Sequence, residues 1–331
     1  MSEQKAEELR IPLRHLSLAA KAWGHADDPP ILALHGWLDN AGSFDRLAPL
    51  LRGRRVIALD LAGHGRSDHR PPGNWYPYVD FLDDLGEVVR SFGWPTVDLL
   101  GHSLGATLVS MFAALCPDRV GRLLLIEGLG PLTLAVDKTC EQLRRSLTAR
   151  AAFKGNGLRV FPDLDAAIEA RRSAGQLSGQ AARCIVERGV RVAREGGGDG
   201  EGGLERGDAV PRGLSGVGVQ RTQSKSGDGD LGLEKDQALP GLSWSSDPAL
   251  TLPSPTRLTE EQLAVVLPNI VAKTLLVLAE PEAPYLQRAT MQARIALLGD
   301  IEVVRMQGSH HLHLEDPLPV AAAINRFLEA G

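Results

Sequence analysis

Short apolar runs, most of them closed by a glycine-bearing turn, alternate along this chain with stretches of helical periodicity. Ile31-Leu32-Ala33-Leu34 follows Pro29 and Pro30 and stops at His35-Gly36, the pattern of a strand buried on both faces. Similar runs occur at Arg55–Leu61, Val97–Leu100, Arg122–Ile126, Thr274–Leu278 and Ile301–Met306. Between them, apolar residues return at helical spacing. Phe44, Leu47, Leu50 and Leu51 predict a helix capped by Asn40 and running through Leu51, and Leu82, Leu85, Val88, Val89 and Phe92 predict one over Tyr78–Phe92. Further helices are predicted over Ala106–Leu115, Tyr285–Leu298 and Leu318–Leu328, and Leu16–Trp23 alternates as an edge strand or hairpin. Strand and helix in alternation predict an α/β fold, a mostly parallel sheet with helices on both faces. Ligands then bind at the carboxyl ends of the strands.

The pattern lapses after Gly130. Thr139 to Ala193 is helix-like without a clear buried strand, and the run from Gly196 to Gly232 holds 13 of the chain's 36 glycines. No Phe, Tyr or Trp occurs from Pro162 to Ser243, so residues 196–238 are expected to form a disordered Gly-rich loop. Order should resume near Trp244, with a helix starting at Thr259-Glu260-Glu261. The expected organisation is a core over 1–130, a mostly helical cap insertion over 131–262 lying on the strand ends, and the rest of the core over 263–331.

Composition narrows the function. Apolar content of 43% and charged content of 23% are those of a globular protein, and a net charge of −5 gives no basic footprint for nucleic acid. No apolar run reaches the ~18 residues of a membrane span, and the charged first fifteen residues, broken by Pro12, do not form a signal peptide. Cys116, Cys140 and Cys184 are odd in number and in no metal-ligand spacing, so reduced thiols in a cytoplasmic protein are expected, with no metal and no cofactor. The oligomeric state stays open.

The chemistry centres on Gly101-His102-Ser103-Leu104-Gly105, between the Val97–Leu100 strand and the following helix. A strand that turns this tightly into a helix exposes the middle hydroxyl at the sheet's carboxyl edge, and small flanking residues remove the clash. Serine needs a base, and His310 after the last strand is the leading one; His311 and His313 compete, although His313 reads as packing at the start of the closing helix. The base needs an acid, and two candidates stand at strand ends: Glu127, after the strand that follows the nucleophile helix, and Glu282, after the Thr274–Leu278 strand. Backbone amides of Leu104 and Trp37 are the expected oxyanion donors. His35, His64 and His102 are expected to hold loops by hydrogen bonds.

Four motifs carry a family resemblance: His35-Gly36, Asp60-x-x-Gly63-x-Gly65-x-Ser67, Gly101-x-Ser103-x-Gly105 and Gly308-x-His310. In this order the chain resembles the α/β-hydrolase superfamily, in the group of haloalkane dehalogenases and epoxide hydrolases. His35-Gly36-Trp37-Leu38-Asp39-Asn40 with Ser43-Phe44-Asp45 is similar to the serine hydrolase-like proteins. The resemblance implies the α/β-hydrolase fold with a helical cap shaping the pocket, and, because some dehalogenases carry their acid after the earlier strand, where Glu127 stands, it favours Glu127 over Glu282 as the triad acid. Dehalogenases and epoxide hydrolases use an aspartate nucleophile, whereas this chain has Ser103. The implied reaction is therefore hydrolysis of a carboxylic ester or related small-molecule acyl substrate through an acyl-enzyme. Transfer to peroxide (perhydrolase or haloperoxidase behaviour) and non-catalytic ligand binding are the alternatives.

Overall fold

A computed structural model describes residues 5–155, 158–193, 241–283 and 287–330. The elements in chain order begin β1 (Glu7–Pro12), β2 (Ser17–Trp23), β3 (Pro30–Leu34), β4 (Arg55–Leu59), α1 (Tyr78–Ser91), β5 (Val97–His102), α2 (Leu104–Leu115) and β6 (Val120–Ile126). The insertion follows with α3 (Thr139–Ala152), β7 (Val160–Phe161), α4 (Leu164–Gly175), α5 (Gly179–Gly189), β8 (Val190–Val192) and β9 (Leu242–Trp244). The chain closes with α6 (Glu260–Val266), β10 (Lys273–Glu280), α7 (Arg288–Ile295), β11 (Ile301–Gln307), α8 (Leu312–Glu315) and α9 (Pro317–Glu329).

Eight strands form one sheet in the order β1-β2-β4-β3-β5-β6-β10-β11. β1 and β2 form an antiparallel hairpin, β2 joins β4 antiparallel, and the remaining pairs are parallel. Alternation along each strand splits the core in two. Leu32, Leu34, Leu99, Leu123, Leu125, Leu276 and Leu278 face α1 and α2. Ile31, Ala33, Leu100, Leu124, Ile126, Leu275 and Val277 face Phe44, Leu47 and the α9 residues Val320, Ile324 and Phe327. Both faces are covered, which is why these strands read as unbroken apolar runs.

Two expectations are corrected. No α-helix follows Asn40; the segment makes short 3₁₀ turns at Ala41–Phe44 and Ala48–Leu50. Asn40 does cap the first turn, accepting from the Gly42 amide, but Pro49 has no N–H to extend an α-helix. β1 lies in the stretch set aside as charged and Pro-broken; it is the sheet's edge, with only Ile11 buried, so it needs no apolar alternation.

The insertion contributes a three-stranded antiparallel sheet, β7-β9-β8, with its own apolar cluster of Phe161, Ile168, Leu177, Ile185, Val186 and Leu242. Leu263 of α6 packs instead in the large cluster against α1 and α2. The Gly-rich run 196–238 lies outside the described residues. Among the described residues no helix is long and apolar enough to cross a membrane.

Candidate active site

Ser103 stands between β5 and α2 with φ +53° and ψ −110°, a conformation that side chains rarely adopt. Neighbouring glycines permit it. A Cβ on Gly105 would run into the Leu34 carbonyl, and one on Gly101 into the Gly105 backbone. The Ser103 amide donates to the Ile126 carbonyl at 2.9 Å, fixing the turn to the end of β6. The Leu104 amide is the first of α2, where backbone N–H groups have no intrahelical acceptor.

His310 follows β11. Its backbone carbonyl accepts from His102 Nε2 at 2.8 Å, so the residue before Ser103 holds the loop of His310. Its Nδ1 lies 3.0 Å from Glu127 Oε2. Glu127 is buried, with φ +57°; its amide donates to Val277 and its Oε1 accepts from the Ala279 amide at 2.6 Å. Two neighbouring strands thus aim one carboxylate oxygen at His310. Glu282 is differently engaged: its Oε1 accepts from Arg288 Nε at 2.9 Å and Arg305 Nη1 at 2.6 Å. Those two guanidiniums lower its pKa.

Trp37 sits in a turn closed by the Asp39 amide on the Gly36 carbonyl at 3.1 Å, with Leu38 at φ +60°. The residue is 53% exposed, and its indole donates to the Leu250 carbonyl of the insertion at 3.2 Å. His35 braces this turn from below: Nδ1 is 2.7 Å from the Gly36 carbonyl, and Nε2 accepts from the Leu61 amide at 3.0 Å. Burial lowers its pKa, so the ring is neutral.

The α/β hydrolase fold family matches residues 29–188. A probable serine hydrolase from Drosophila melanogaster is 41% identical over 149 residues, 44% of this chain; the match spans less than half, 45%, of the fly protein. A serine hydrolase-like protein from Danio rerio is 27% identical over 338 residues, covering 98% of this chain and 89% of the fish protein. The crystal structure of a hypothetical protein from Pseudomonas aeruginosa PAO1 superposes with a TM-score of 0.76 at 36% identity, covering 98% of both chains. This chain belongs to the α/β-hydrolase superfamily. It stands close to the serine hydrolase-like proteins.

In this α/β-hydrolase, polar side chains behind the strand ends form a group the sequence did not single out. Asp39, 1% exposed, receives Arg171 of α4 on Oδ1, and its Oδ2 lies 3.3 Å from His311 Nε2. Burial alone pushes its pKa up, but the bond to His311 and the charges of His311 and Arg171 outweigh it and hold the carboxyl well below its usual range. Asp60 caps the turns after β3 and β4 through the Ala41 and Arg66 amides and takes Arg188 Nε of α5 on both oxygens at 2.9 Å. His313 is fully buried with Nε2 2.9 Å from Ser43 Oγ, a packing position as expected. Asp39 lay in a quoted motif without a role. Arg171 and Arg188 lie in helix-like sequence where nothing local marks them.

Proposed function

We propose that this hydrolase cleaves a carboxylic ester, or a related small acyl substrate, by transient acylation of Ser103. The observation that carries this reading is the 3.0 Å approach of a buried, doubly anchored Glu127 to His310 Nδ1. With Nδ1–H committed to Glu127, His310 presents Nε2 as the base. Nε2 takes the Ser103 proton as Oγ attacks the acyl carbon, and the oxyanion develops toward the Leu104 and Trp37 amides. The alcohol leaves with the proton from His310. Water, deprotonated by the same nitrogen, then releases the acid and restores the serine. Glu282 is not assigned a part, because Arg288 and Arg305 already hold it.

The insertion, expected over 131–262, acts as the cap of this site. Its support is that Arg171, Arg188 and the Leu250 carbonyl all reach the loops after β3 and β4. We place the protein in the cytoplasm on its three free thiols. A fluorophosphonate probe should label the full chain, and Ser103→Ala should lose both labelling and p-nitrophenyl ester turnover. Folded protein that resists the probe would leave a ligand-binding role in place of catalysis.

A further inference from the structure

Behind the candidate catalytic residues lies a set of donors that the hydrolytic reading does not use. His102 is fully buried. Its Nε2 is committed to the His310 carbonyl, and its Nδ1 has no hydrogen-bond partner. With the proton on Nε2, Nδ1 carries a bare lone pair. It lies 3.9 Å from Asp39 Oδ2, which in turn lies 3.3 Å from His311 Nε2. All three atoms fall within 4.8 Å of one another.

We propose that His102 Nδ1, Asp39 Oδ2 and His311 Nε2 form a binding site for a divalent transition-metal ion of the zinc type. Two imidazole nitrogens and one carboxylate oxygen are a borderline-soft donor set of the kind zinc takes, with a water in the remaining position. The triangle is the right size. A point equidistant from the three atoms lies at most about 2.4 Å from each, against the roughly 2.0–2.2 Å of zinc–nitrogen and zinc–oxygen bonds. With a water as fourth ligand the ion stands out of the plane of the three atoms and needs donor–donor separations of ~3.4 Å, so the His102 and His311 nitrogens have to approach one another by up to about 1.4 Å.

Two further features keep the place free. Gly36 borders it: a Cβ there would stand 3.0 Å from His102 Nδ1 and 3.2 Å from Asp39 Oδ2. Arg171 takes Oδ1 of Asp39 and leaves Oδ2 to the ion. The ion takes the place of the His311–Asp39 contact, and any hydrogen on His311 Nε2 passes to Nδ1 or to solvent. The ligands come from three separate parts of the chain, which is why no metal spacing is visible in the sequence. Occupancy would reach His310 through one ring, since metal on Nδ1 makes the Nε2–H of His102 a stronger donor to the His310 carbonyl.

The site does not depend on the role of Ser103, and its test uses no turnover. The full-length chain, stripped with chelator, is titrated with Zn²⁺ by calorimetry and with Co²⁺ by visible absorption. One ion per chain is expected, with cobalt bands of nitrogen–oxygen ligation. His311→Gln should weaken binding at least tenfold, His25→Gln should leave it unchanged, and Ser103→Ala should bind as the parent does. A circular dichroism spectrum like that of the parent certifies the His311→Gln fold. Absence of binding to the folded parent, equal affinity in His311→Gln, loss of binding in Ser103→Ala, or a strong near-ultraviolet thiolate band would each overturn the assignment.

Discussion

Glu127 and Ser103 both hold left-handed backbone without being glycine, a conformation of order 1–3 kcal/mol above the ordinary regions. Both sit at the end of a parallel strand, where the surrounding amides fix them. If Glu127 orients the imidazole of His310, Glu127→Gln should lower kcat by on the order of 10³-fold or more, while Glu282→Gln stays within about twofold. Steady-state kinetics on a p-nitrophenyl ester checks this, and equal mild losses would refute the choice of acid. Gly105 is constrained differently. A methyl group there meets the Leu34 carbonyl, so Gly105→Ala should cost at least about 2 kcal/mol, read as a lower urea midpoint. His64 is fully buried, and burial lowers its pKa from 6.5 to about 3. The unfolded chain therefore takes up this proton first. The stability it represents is complete above pH ~6.5 and is lost at roughly 1.4 kcal/mol per pH unit as pH falls toward 3. His64→Gln should flatten the fall of the urea midpoint between pH 6.5 and 4.5; an unaltered slope would show that other groups account for it.

Elements differ in how far the sequence reveals them, and the reason is local. β3, β6 and β10 hold consecutive apolar residues that face both ways, so each appears as a continuous run, and β5 does so apart from Asp98. α6 announces itself through a capping box, with Thr259 Oγ1 accepting from the Gln262 amide and the Gln262 side chain accepting from the Thr259 amide. Thr259→Ala should accordingly cost about 1 kcal/mol in chemical denaturation, and no change would mean the cap contributes nothing. β1 was hidden because an edge strand can be charged. The turns after Asn40 had helical apolar spacing but not the backbone donors for an α-helix. The places of Ser103, Glu127 and His310, just past β5, β6 and β11, were legible because those strands were themselves legible. The partners of Asp39 were not, since a guanidinium on α4 meets it only after the insertion folds back.

At the scale of the molecule, two arginines join the insertion to the core. Arg188 is 4% exposed and binds Asp60 through Nε and Glu8 through Nη1. Truncating it leaves Asp60 buried without its guanidinium, so Arg188→Ala should destabilise by roughly 3–5 kcal/mol; a loss below 1 kcal/mol in urea unfolding would mean water fills the place. The insertion also leaves and returns at one point, where the Leu134 amide donates to the Leu258 carbonyl at 2.9 Å. Because its two necks are already clasped, everything from 135 to 257 could be exchanged for another loop without reopening the sheet. A transplanted cover would have to bring its own positive charges for Asp39 and Asp60, however, so two buried carboxylates take part in deciding which lid this scaffold accepts.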